Sequence, residues 1–93
     1  MKTFVHKCKI VPTTGSRDAS IATIGHALVW VHTDSSDRVE DIVEKHLLEI
    51  GWMVDTHENT HEVTEDSVRH NAASLEMVRK AIKGGVASEI YAA

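Results

Sequence analysis

The chain has 93 residues, 42% of them hydrophobic, which suits one globular domain over 1–93 and is too apolar for a disordered tail. Cys8 is its only cysteine, so no disulfide can form within it, and a reducing cytoplasm is the expected setting. The net charge of −4 is uneven: eleven acids against Arg38 and Lys45 leave 34–66 strongly negative, and the few basic residues are split between the ends, unlike a nucleic-acid binder.

The opening MKTFVHKCKIV has no apolar run of signal-peptide length, and nothing elsewhere approaches ~18 consecutive apolar residues, so neither export by that route nor membrane insertion is expected. Residues 2–11 alternate, with Phe4, His6, Cys8 and Ile10 on one face of a strand and Thr3, Val5, Lys7 and Lys9 on the other. Pro12 stops it. PTTGSRDAS (12–20) is rich in turn formers and reads as one mobile loop. IATIGHALVWVHT (21–33) suits a long strand that is apolar on both faces: Ala27, Val29 and Val31 point one way, and His26, Leu28, Trp30 and His32 the other.

DSSDRVEDIVEKHLLEIG predicts a helix capped by Ser35 or Ser36, with acids in its first turn and Gly51 at its end. Val39, Ile42, Val43, Leu47 and Ile50 form its core stripe, and His46 sits at the rim. WMVDTHENTHEVT then reads as a strand or bulged strand to Thr64. A second helical region begins with Thr64 as cap, has a break at Asn71, and carries Leu75, Val78, Ala81 and Ile82 inward before Gly84-Gly85 stops it. The alternating tail VASEIYAA predicts a last strand.

The order β-β-α-β-α-β predicts an α+β two-layer sandwich: an antiparallel or mixed four-stranded sheet with two helices on one face, as a ferredoxin-like variant. The combination of ALVWVHTDS, a helix ending in EIGW, HEVTEDS, and SLEMVRKAIKGG before a short strand resembles a group of small uncharacterised bacterial domains of ferredoxin-like type. The resemblance covers the chain from about Gly25 onward, without the THENTH stretch or the loop at 12–20. It implies a fold and no activity.

HENTH (57–61) matches the H-E-x-x-H of zinc peptidases. That motif works on a helix, where positions i and i+4 stack and both imidazoles reach one ion. Here poor helix formers surround it and no apolar stripe runs through it; on a regular strand His57 and His61 share a face but stand ~13 Å apart, out of reach of one ion. His6 and Cys8, two apart, have a spacing suited to a shared ion, but Phe4 and Ile10 flank them, so the expected reading is a small buried cysteine and a rim histidine. No catalytic residue, metal site or cofactor is predicted.

If Ala27, Val29 and Val31 face the helices with Trp52, Val54, Val86 and Ile90, the opposite face shows His26, Leu28, Trp30, His32, Met53, Asp55, His57 and Tyr91. An uncovered patch of this kind marks an interface or binding surface. The reversed phase makes Trp30 simply core. The expected function is a non-enzymatic interaction domain that pairs as a homodimer through that face. The alternatives are a small-ligand or metal-binding protein using the same histidines and aromatics, and an acidic partner of a basic protein.

Overall fold

A computed structural model describes residues 1–13 and 24–92. The expected mobile loop, beyond Thr13, and the first residues of the expected second strand lie outside them. Four strands, β1 (Lys2–Pro12), β2 (Gly25–Thr33), β3 (Trp52–Val63) and β4 (Val86–Ala92), form one sheet in the order β3-β1-β2-β4, with every neighbouring pair antiparallel. Helix α1 (Val39–Glu49) joins β2 to β3, and helix α2 (Ala72–Gly84) joins β3 to β4. The expected α+β class, four-stranded sheet and two connecting helices are present.

Turn chemistry sets the helix boundaries. Ser35 accepts a hydrogen bond from the Asp37 amide and starts a 3-10 turn, Ser36–Arg38, that runs directly into α1. Gly51 (φ 92°) closes α1 in a conformation that a side chain would strain. The second helical region is divided where its polar residues fall. Thr64 and Ser67 cap each other reciprocally around the short turn Asp66–Val68, and α2 begins only at Ala72, with the Asn71 side chain accepting from the Ser74 amide. Gly85 (φ 94°) ends α2 by donating its N–H to the Ala81 carbonyl.

The placement of the two helices on one face is corrected. The α1 stripe Val39, Val43 and Leu47 packs with Phe4, Cys8, Ile10, Ala27, Val29, Val31 and Trp52. The α2 residues Met77, Val78 and Ala81 pack with Trp30 and Ala87, bordered by Val5 and Leu28. Register puts Val5 opposite Trp30 and Phe4 opposite Val31, so these clusters lie on opposite faces of the same strands. The helices therefore flank the sheet.

The cause is visible in β2, whose two faces are both apolar and both need cover. Connectivity permits it. α1 carries the chain across β1 between the parallel strands β2 and β3, while β3 and β4 run in opposite directions, so the handedness rule for parallel crossovers does not tie α2 to the α1 face. The open face assigned to Trp30 is consequently closed: its indole is 5% exposed beneath α2. Removing a well-packed buried indole costs about 3–5 kcal/mol. Trp30→Ala should thus lower the stability read from urea denaturation by about that amount, whereas a tryptophan on an uncovered face would leave it nearly unchanged.

Candidate functional site

Strand β3 places the polar residues, and it does so through two interruptions of its pleat. Ile10 pairs with Val54 but Lys9 with Thr56, leaving Asp55 extra; Cys8 pairs with His57 but Lys7 with Asn59, leaving Glu58 extra. Each bulge reverses the inward and outward phase, and the second undoes the first. His57 alone of the histidines in HENTH is thereby turned toward α1, while His61, opposite Val5, lies on the α2 side of the sheet. Glu58 also turns away, to Lys7 (3.7 Å) and the His26 ring (4.0 Å). The expectation that His57 and His61 share a face is corrected by the bulges.

His57 meets His6. The His6 side chain, 1% exposed and so core rather than rim, has Nε2 2.7 Å from His57 Nδ1 and Nδ1 2.6 Å from Thr60 Oγ1. The ring centroids are 4.9 Å apart. On its outer side, His57 Nε2 faces Glu44 (3.6 Å) and Glu40 (3.9 Å), one helical turn apart on α1. The donor directions of the chain follow from its exposed end. Carboxylates only accept, so a neutral His57 carries its hydrogen on Nε2 and its Nδ1 accepts from His6 Nε2–H; His6 Nδ1 then accepts from the Thr60 hydroxyl. One polar thread runs from the core to the α1 surface; its two inner links are hydrogen bonds and its outer one a charge contact at 3.6 Å.

Burial, and secondarily the neighbouring His57, push the His6 pKa below its ordinary value of 6.5, with Glu40 opposing. Cys8, fully buried opposite His57, has its thiol pushed up to about 11, first by burial and then by Glu58. It is a buried hydrophobe, as expected, and a poor nucleophile. The order hydroxyl, imidazole, imidazole, carboxylate has the outline of an activated nucleophile. Yet the ring that would serve as base is sealed in the core.

The other expected site residues lie on the α2 side of the sheet or along its edges. Trp30 and Leu28 pack toward α2, and the His32 ring bonds the Thr3 hydroxyl at 2.8 Å. Tyr91 is exposed at the β4 edge and donates its hydroxyl to Glu89, which raises its pKa. Met53 and Asp55 are exposed on the opposite edge strand, and His26 lies with Glu58. His46 reaches over β4 to Ser88 Oγ at 2.9 Å. Leu28, Trp30 and Tyr91 line one depression on the α2 side of the sheet, where His26 pairs with Tyr91, whereas His57 lies on the opposite, α1 side.

Sequence reasoning missed His6 as the partner of His57, although both carried notice separately. Among the described residues no group of three or more His, Cys, Asp or Glu side chains is arranged to hold a metal ion, and no helix is long and apolar enough to cross a membrane. No protein-family model matches the chain, and neither a curated protein nor a solved structure matches it.

Two outcomes follow from the burial. Because His6 binds its proton less readily folded than unfolded, the stability held by its neutral form is complete above pH 6.5 and declines as pH falls below that value toward the lowered pKa. The urea midpoint should therefore drop between pH 7.5 and 5.5, and drop less in His6→Gln; a midpoint that rises on acidification contradicts this. Cys8 should react with a thiol reagent only as fast as the protein opens, and at once in denaturant.

Proposed function

We propose that the chain is a small non-enzymatic binding domain that docks a basic segment of a protein partner on the side formed by α1 and the edge strand β3. The observation that carries this reading is the state of the α1 carboxylates. Several acids elsewhere have basic partners: Glu62 with Lys2, Glu58 with Lys7, Asp34 with Arg38, Glu65 with Arg79, and Glu76 with Lys80. On α1, Glu40 and Glu44 face only the His57 ring among the described residues. Asp41 and Glu49 add to the same helix, where Lys45 is the one lysine.

Glu40, Glu44 and Leu48 follow one another at i, i+4 spacing, so the acidic row leads into an apolar one. Leu48 is 54% and Met53 47% exposed, and with Glu44 and Val54 they line a shallow groove along the helix–strand seam. A partner segment with lysine or arginine near an aliphatic side chain fits that sequence of groups. The expected dimer through the Trp30 face is not carried forward, because α2 occupies that face.

The reading is tested with octalysine as the simplest basic probe, with fluorescence anisotropy as the readout. Binding at low ionic strength should weaken steadily as salt is added, and Glu40→Gln with Glu44→Gln should each reduce affinity by about 2- to 5-fold, the worth of an exposed ion pair. Affinity that ignores both salt and these substitutions contradicts an acidic docking face.

A further inference from the structure

The proposed docking face has a titratable ring at its centre, and that ring is hydrogen-bonded to a second one in the core. We propose that the His6–His57 pair takes up a single proton on acidification, and that this charge, set between Glu40 and Glu44, weakens docking of a basic segment. The inference rests on the docking reading above and names its regulation.

Proton bookkeeping in the chain supports one proton rather than two. The neutral chain holds hydrogens on the Thr60 hydroxyl, His6 Nε2 and His57 Nε2. One added proton gives His57 hydrogens on both nitrogens; its Nδ1–H then donates to His6 Nε2, and His6, now carrying its hydrogen on Nδ1, donates to Thr60 Oγ1. Both inner links survive with their direction reversed, while His57 Nε2–H still points to the carboxylates. A second proton would set two N–H donors and two positive charges against each other across 2.7 Å, so the rings titrate as a coupled unit.

The surroundings decide where the charge rests. Facing the pair are Glu40 and Glu44 from α1, Thr60 from β3, and Cys8 from β1, while β2 presents only Ala27, Val29 and Val31. The carboxylates stand at the His57 end, and His6 is the ring closed off from water. Its lowered pKa accords with this order. Protonated His57 partly neutralises the two acids that a lysine or arginine of the partner would otherwise meet.

The test joins two measurements on the intact protein. Long-range ¹H–¹⁵N spectra of the histidine rings, titrated from pH 7.5 to 5.5, should show the His6 and His57 nitrogens moving in one shared transition with His6 changing tautomer. Over the same range octalysine affinity should fall about three-fold more in the native protein than in His57→Gln, which keeps the acids and removes the titrating ring. Separate, independent titrations of the two rings overturn the switch even if octalysine binds. Equal pH dependence in native and His57→Gln proteins overturns its regulatory effect. No octalysine binding at pH 7.5 overturns the docking reading, and the regulation with it, whatever the ring spectra show.

Discussion

The structure depends on one strand that is apolar on both sides. β2 sends Ala27, Val29 and Val31 to one face and Leu28 and Trp30 to the other, and leaving either set in water would forfeit roughly 25 cal/mol for each Å² of apolar surface. A single helix layer cannot satisfy such a strand. The chain answers by sending α1 over one face and α2 over the other, with β2 and β1 central and the strands β3 and β4 at the edges. The sheet thus has two small cores in place of one, each closed by a single amphipathic helix.

That division also explains where polar groups can lie. α1 covers the face on which β1 carries His6, so the histidine is enclosed among Phe4, Cys8 and Val29 and must find its hydrogen bonds within the protein. β3 supplies both partners, Thr60 and His57, and can do so only because bulges at Asp55 and Glu58 bring His57 inward for a single residue pair before restoring the earlier phase. The same bulges interrupt the pairing edge of a long outer strand, which discourages unwanted strand addition there. One local device thus places a buried polar thread and blunts an edge.

Much of the fold was legible because its signals are local. The alternation in 2–11, the Ser35 cap, the Val39, Val43 and Leu47 stripe, and the glycines at 51 and 85 each act within a few residues and lie where periodicity and turn chemistry put them. The two-sided character of β2 was equally plain. Its consequence is not legible there, since an uncovered face and a face covered by the second helix leave the same pattern in the strand itself. Of the expected α2 stripe Leu75, Val78, Ala81 and Ile82, Val78 and Ala81 are buried and Ile82 is exposed, and the helix pattern carries no sign of which sheet face it meets. For the candidate site the obstacle was phase. Strict alternation sends His57 outward with Met53 and Asp55, and nothing in THENTH marks the bulges that reverse it. His6 and His57 are 51 positions apart, and only the register of β1 on β3 joins them.

The most direct test of a sheet covered on both faces is a nuclear Overhauser spectrum of the native protein in the aromatic-to-methyl and methyl-to-methyl regions. The account predicts cross-peaks from the Trp30 indole to Val78 and Ala81 of α2, and from Val29 and Val31 to Val43 and Leu47 of α1, with none from Trp30 to α1. Trp30 cross-peaks to the α1 methyls, or an indole with no helix neighbour, would contradict it.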